Sequence, residues 1–507
     1  MSNERWRVVA SAVGGVVLES SHIVSLESAK TQAVEGGCRF RNRPSGVESV
    51  LGYVAACTRK CRLESCGENL LDGIMELLRL SDDGVAGMVP WSLTPMKTPL
   101  TVIVVRQGAS GSTELYTQAL RRAFLGLDAA EALEAPDYEW MHPLDFRVFT
   151  QARSEAPLDS SLLEPDAERK SPIWRDSSAV LVIVLLSEAT SQAEDLLRRW
   201  VNFSQQQEIT DMSVLGISVS SAQAPQIRQN PMPSPVMLLG LDDLGERDLR
   251  QDMLCLYALD QAVWLLNRRQ LAKSPGSGGQ PRIFFSHAKR DGVPLAYSLR
   301  GWMNGLLKRF RYFYDTDHLD LKGDLSAQLQ DAVAGSGSII VVLRTEAFDS
   351  RYWCQKEVYW AEHHGVPVLT VDARWNIRHS PAVIGFDGTP SVRVPDGSLT
   401  RILLAAYREA LRVYLLRERV RETALASQDS ASRRTVVSFD DCSVLSRYPT
   451  LISLEAATKP NPAPCYLVYP NPTMPDELEV SARRVAESLV KGINLVSLDQ
   501  FRVLCLG

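Results

Sequence analysis

Short apolar blocks separated by polar stretches dominate residues 98–270, at 100–105, 146–149, 179–186, 214–219 and 236–239, with helical patterns between or after most of them at 114–124, 193–203 and 247–268. Strands that alternate with helices predict a parallel sheet with right-handed crossovers. A second set follows: a strand at 282–287, an acidic turn at 313–324, an apolar strand at 339–343, a helix containing 353–357 and a long helix over 399–422. The carboxyl-terminal stretch reads as a strand at 465–469, a proline-rich turn at 470–475, a helix over 476–490 and a short strand near Leu495. That is half an α/β unit, too small to stand alone and expected to pack on a neighbouring domain. Residues 1–97 show mixed patterning on which no fold can be placed.

Two polar segments punctuate the pattern. Residues 273–281, rich in Gly, Ser and Pro, read as a flexible linker, and 426–433 closes the second α/β set after its long helix. At 507 residues the chain is too long for one ordinary core. The expected organisation is therefore an N-terminal region of unknown fold (1–97), an α/β domain (98–270), a linker (271–281), a second α/β domain (282–425) and a small C-terminal α/β segment (434–507).

A hydrophobic share of 45 % with 23 % charged residues is that of a soluble globular protein. The net charge of -5 gives no general electrostatic reason to bind nucleic acid, which is not an expected partner. No apolar run approaches bilayer length: the best, 179–186, is strand-sized, and the stretch over 8–18 is interrupted by Ser11, Gly14 and Gly15 with no clear cleavage site after it. Nine scattered cysteines form no disulfide framework, which points to a reducing compartment and a cytoplasmic protein. Cys57, Cys61 and Cys66 cluster, but their spacing matches no zinc knuckle, and buried thiols rather than a metal site are expected.

Between 282 and 371 the chain runs Arg-Ile-Phe-Phe-Ser-His at 282–287, Phe-Tyr-Asp at 313–315, Asp-Leu-Lys-Gly-Asp at 320–324, Ile-Ile-Val-Val-Leu at 339–343 and Trp-Cys-Gln-Lys-Glu at 353–357. In that order the motifs resemble a TIR domain. The resemblance implies a flavodoxin-like parallel sheet in which Ser286, the acidic loop and Glu357 converge in the crevice outside the carboxyl ends of the strands. Many bacterial members of that family cleave NAD at the nicotinamide ribosyl bond, using a glutamate in the helix after the third strand. Glu357 occupies that position, with Trp353 one helical turn earlier on the same face.

One carboxylate can suffice for such chemistry. Nicotinamide leaves as a neutral molecule from a cationic pyridinium, so no general acid is required, unlike glycoside hydrolysis with its two carboxyl groups. What needs help is the positive charge that develops on the ribose, which an anionic Glu357 would stabilise. Phe285, Ser286 and His287 are then expected to line the cleft, and Asp320, Lys322, Gly323 and Asp324 to form the family's mobile assembly loop. Asp residues of that loop are also common turn formers. Arg344 stands where the family usually has a small polar residue, so it would either bind a phosphate or obstruct the pocket.

The resemblance implies NAD as substrate rather than cofactor, self-association through TIR domains, activation by a protein or nucleotide signal, and a role in bacterial defence against phage. Because some TIR domains only bind one another, a noncatalytic adaptor or nucleotide-sensing scaffold is the competing reading. The upstream set parallels the downstream one, 182–187 corresponding to 339–344, but residues 193–200 hold no Trp-x-x-x-Glu. A degenerate TIR-like or other Rossmann-like duplicate that senses or assembles is expected there. Gly108 to Gly111 lacks P-loop and Rossmann spacing and reads as an ordinary strand-to-helix turn, His363 and His364 suit the negative end of a helix, and no Ser-His-Asp arrangement is visible.

Overall fold

The computed structural model describes residues 6–11, 15–20, 97–107, 111–125, 144–151, 177–186, 211–218, 236–240, 247–271, 279–306, 310–314, 323–374, 389–393, 399–428, 437–458, 465–470 and 475–506. The chain divides into two units, Met1–Ser92 and Leu93–Gly507. In the first, strands β1 (Trp6–Ser11) and β2 (Gly15–Ser20) pair as an antiparallel hairpin, Trp6 opposite Ser20 and Ser11 opposite Gly15. Cys57, Cys61 and Cys66 lie outside the described residues, as does the helix expected over 193–203.

The second unit is an α/β structure built on parallel sheets. Its first sheet comprises β3 (Leu100–Gln107), β4 (Leu144–Gln151), β5 (Val180–Leu186), β6 (Met212–Ser218) and β7 (Val236–Gly240), in the order β4-β3-β5-β6-β7. Its second comprises β8 (Arg282–His287), β9 (Arg311–Phe313), β10 (Ser338–Arg344), β11 (Val368–Asp372) and β12 (Ser391–Arg393), in the order β12-β11-β10-β8-β9. All pairings in both sheets are parallel. Numbered within each sheet, both follow the 2-1-3-4-5 order of flavodoxin-like sheets, whose switch point lies between the first and third strands.

The central strands are apolar on both faces because both faces are covered. All seven residues of β5 and the first six of β10 are buried. On one face of the second sheet, Phe284, Ile340 and Val342 pack with Phe313, Leu329, Phe348, Val358 and Ala361. These come from β9, α4 (Leu325–Ala334), α5 (Tyr352–His363) and the turn before α5. On the opposite face, Ile283, Phe285, Ile339 and Val341 join one core with Val102, Val104, Leu181 and Ile183 of the first sheet.

Two long helices lie at the centre of that shared core, α2 (Arg247–Leu271) and α6 (Leu399–Gln428), each the last helix of its sheet. Leu259, Val263 and Leu266 of α2 and Leu403, Ala406, Tyr407 and Ala410 of α6 are fully buried within it. At roughly 1.5–3 kcal/mol for each large aliphatic side chain removed from water, this seam is a major source of the fold's stability. Arg269, near the end of α2, also crosses the seam to Glu418 (3.0 Å) and Glu422 (3.1 Å) of α6 and reaches Asp211 beside β6 (2.6 Å). Among the described residues, the remaining helices of the two sets are α1 (Gly111–Leu125), after β3, and α3 (Val293–Leu306), after β8.

The carboxyl-terminal segment is fuller than half a unit. Strands β13 (Cys442–Val444), β14 (Tyr466–Tyr469) and β15 (Asn494–Ser497) form a parallel sheet in sequence order, connected through α7 (Leu451–Thr458) and α8 (Asp476–Leu489) and followed by α9 (Leu498–Leu506). One face packs Val468, Val496 and Phe501 on Val420 and Ala424 of α6; the other places Leu467 and Leu495 against Leu454 of α7 and Ala486 of α8. Among the described residues, no helix is long and apolar enough to cross a membrane.

Candidate functional site

Strand β8 ends in Ser286 and His287, and the period-two pleat sends them to opposite faces. Ser286 lies on the side of Phe284, facing α5; Phe285 and His287 lie on the side of α3. After β8 the chain crosses to α3 on one face, and after β10 it crosses to α5 on the other. A crevice is therefore expected between the two strand ends. There the Ser286 hydroxyl donates to Glu357 Oε2 at 2.5 Å. Ser286 is 1 % exposed and Glu357 8 %, so the carboxylate sits under the surface rather than on it.

The surroundings of this pair come from the loops after β8 and β10 and from α5 itself. Asp291, between β8 and α3, accepts from Thr345 Oγ1 at 2.6 Å and from the Ala347 backbone N–H at 2.9 Å, which fastens the loop after β8 to the loop after β10. Gly292 permits that path, since a Cβ there would lie 3.0 Å from the Ala288 carbonyl oxygen and 3.1 Å from His287 Cβ. Cys354, one turn before Glu357 on α5, is buried; burial, and then the negative charge of Glu357, push its thiol up to about 12, so it stays protonated.

The other anticipated residues separate into distinct environments. Phe285 is 3 % exposed and packs in the core between the sheets, 6.5 Å from the Tyr312 ring, away from the α5 face. The His287 ring stacks on Tyr314 at 5.2 Å, and Tyr297 and Arg300 of α3 continue that row. Trp353 is 44 % exposed at the start of α5, where Lys356 Nζ lies 4.9 Å from its ring, 4.8 Å from Trp360 and 5.6 Å from Tyr352, while donating to Ser326 Oγ at 3.0 Å. Arg344 is engaged in a bidentate pair with Asp349, at 2.9 and 2.7 Å, so its charge is matched within the loop that follows β10. Of the acidic loop, Asp320 and Lys322 fall outside the described residues and Gly323 is exposed. Asp324 is the N-cap of α4, its Oδ1 accepting from the N–H groups of Ser326 (2.9 Å) and Ala327 (3.2 Å).

Asp291, Asp349 and Cys354 were not singled out in the sequence. The only local signal was an Asp-Gly pair at 291–292, which reads as an ordinary turn. His363 and His364 lie at the end of α5 with rings 4.9 Å apart, and burial lowers the pKa of His364. Among the described residues, no group of three or more His, Cys, Asp or Glu is placed to hold a metal ion.

The first sheet lacks the Ser286 equivalent. Val105 lies opposite Val184 in the register that places Ser286 opposite Val342, and Val105 is fully buried. The face pattern also shifts the correspondence of 182–187 with 339–344 by one residue. Leu181, Ile183 and Leu185 share the inter-sheet core with Ile339, Val341 and Leu343, and a slip of one residue would exchange the faces of the strand. Arg106, at the position of His287, is ion-paired with Glu114 of α1. No protein-family model and no curated protein sequence matches the chain.

Proposed function

We propose that the second α/β set is a TIR-type NAD nucleosidase. The observation that carries this reading is the buried pair of Ser286 and Glu357 at the switch point of a 2-1-3-4-5 sheet, in a chain whose motif order resembles that family. The C–N bond between nicotinamide and ribose breaks, and its electron pair passes to the ring nitrogen, which becomes neutral. The Glu357 carboxylate stabilises the cationic ribose until water, or a nucleophile within the same molecule, attacks it. Ser286 holds one carboxylate oxygen and so fixes its direction. Activity would depend on assembly of TIR units in response to a protein or nucleotide signal, which suits a bacterial defence role. The first sheet, with Val105 in place of Ser286, would serve sensing or assembly.

The test is incubation of the intact chain, free and crowded on beads, with NAD and chromatographic separation of products. Nicotinamide release that disappears in Glu357→Gln supports the reading; release that persists in that variant, or none from crowded protein, opposes it. A second reading, a noncatalytic adaptor, is favoured by the 8 % exposure of Glu357 and the engagement of its carboxylate by Ser286. In that case Glu357→Ala leaves partner binding intact and no nucleotide turns over.

A further inference from the structure

We propose that Glu362 is a positioning residue. The carboxyl-terminal segment uses it to latch α5, and with it Glu357, in the closed arrangement seen here. The effect on turnover rests on the nucleosidase reading; the latch itself does not.

Glu362 lies five residues beyond Glu357 on α5 and is 4 % exposed. Its Oε1 accepts from Thr450 Oγ1, and its Oε2 lies 3.9 Å from Arg447 Nη2. Both partners belong to the carboxyl-terminal segment. Arg447 also donates to Thr389, just before β12, so one guanidinium joins the latch to the edge of the second sheet. Thr450 caps α7, with Ser453 N–H bonded to Thr450 Oγ1 at 3.2 Å and Thr450 N–H to Ser453 Oγ at 2.8 Å. Arg412 of α6 holds the same turn from behind through the Ser446 carbonyl at 2.6 Å.

The end of α5 is fixed as well. Gly365, at φ +61, reverses the chain, Val366 N–H closes onto the Ala361 carbonyl at 2.8 Å, and Arg417 donates to the Gly365 carbonyl at 2.7 Å. At the beginning of α5, Tyr352 and Trp353 are exposed, while Lys356 ties that turn to Ser326 at 3.0 Å. The helix is therefore anchored at its carboxyl end, five residues beyond Glu357. A carboxylate this well excluded from water is tolerated only with its partners in place. Uncovering Glu357 for a ribose requires α5 to move, and Glu362 opposes that movement.

Cys354, buried on α5 beside Glu357, reports such movement without reference to NAD, and Cys255, buried in α2, reports unfolding of the shared core. The full chain and its variants are treated with iodoacetamide, and labelling at the two sites is read by peptide mass spectrometry. Glu362→Leu, which removes the acceptor, and Thr450→Val, which removes the donor, are expected to raise the Cys354 rate about tenfold, the scale of one lost hydrogen bond to a charged group. Cys255 should keep its rate, and Thr450→Ser, which retains the hydroxyl, should label as the parent does. Unchanged Cys354 labelling in folded Glu362→Leu, or an equal rise at Cys255, overturns the latch. A selective rise at Cys354 in a protein that never releases nicotinamide upholds the latch and overturns the nucleosidase reading instead.

Discussion

The Ser286 hydroxyl donates to Glu357 Oε2 at 2.5 Å, joining the end of β8 to the middle of α5. The two single replacements should separate stability from chemistry. Ser286→Ala withdraws a donor from a buried carboxylate and is expected to cost about 1–3 kcal/mol in urea denaturation. Glu357→Gln keeps an oxygen that accepts from Ser286, so it should unfold near the parent midpoint while nicotinamide release falls at least about 100-fold, the scale seen when a transition-state charge partner is removed. Equal release from Glu357→Gln and the parent would sink the assignment of Glu357.

Arg269 answers three carboxylates at once, and the Glu418 side chain among them has no exposed surface. Arg269→Met should destabilise the chain by about 3–5 kcal/mol, because Glu422 loses this cation and the buried Glu418 is left with Arg421 at 3.6 Å. Arg269→Lys should recover only part of that, since one ammonium cannot reproduce the guanidinium fork. Guanidinium denaturation followed by tryptophan fluorescence measures both; a Met variant within about 0.5 kcal/mol of the parent would show that the network adds nothing across the seam. The same seam argues for experiments on the intact chain, because residues 282–425 alone would expose the α6 face formed by Leu403, Tyr407 and Ala410.

How much of this was legible in the sequence depends on the range of the interaction. Strand β5 and residues 339–343 of β10 are unbroken runs of Val, Ile and Leu because both faces are buried, and a run of that kind is visible without partners. Strands β9, β12 and β13 are three residues each and mixed in character, so no period can establish itself. Motif order singled out Ser286 and Glu357 together, and the structure places them in one hydrogen bond. Grouping Phe285 and His287 with Ser286 overlooked the pleat, which turns neighbours to opposite faces. Asp291, bonded to residues 345 and 347, and Glu362, bonded to residue 450, were not legible because their partners are distant in sequence.

Asp291 should matter locally more than globally. Asp291→Ala removes the acceptors for the Thr345 hydroxyl and the Ala347 N–H, at an expected cost of about 1–3 kcal/mol. Hydrogen exchange at the Ala347 amide should accelerate while amides in β5, in the other sheet, keep their protection. Asp291→Asn retains one acceptor oxygen and should fall between the two. Uniform acceleration across both sheets would mean that the loop junction is no separate unit of stability.

Asp260 of α2 provides the pH dependence. Part of the residue reaches solvent, but its carboxyl is enclosed beside Tyr407 of α6, and burial raises its pKa from 3.8 to about 7, with the Tyr407 and Gln261 side chains pulling in the opposite direction. The folded protein thus holds a proton that the unfolded chain has already released between these values. Stability contributed by this group is therefore greatest below about pH 4 and declines as pH rises towards 7, where the folded carboxyl must also ionise within the seam. Asp260→Asn, a neutral mimic of the protonated form, should remove this decline and leave the variant more stable than the parent at pH 8. Melting temperatures across that range decide the matter: if parent and variant keep a constant difference from pH 4 to 8, Asp260 does not titrate near 7 and the α2–α6 seam tolerates its charge.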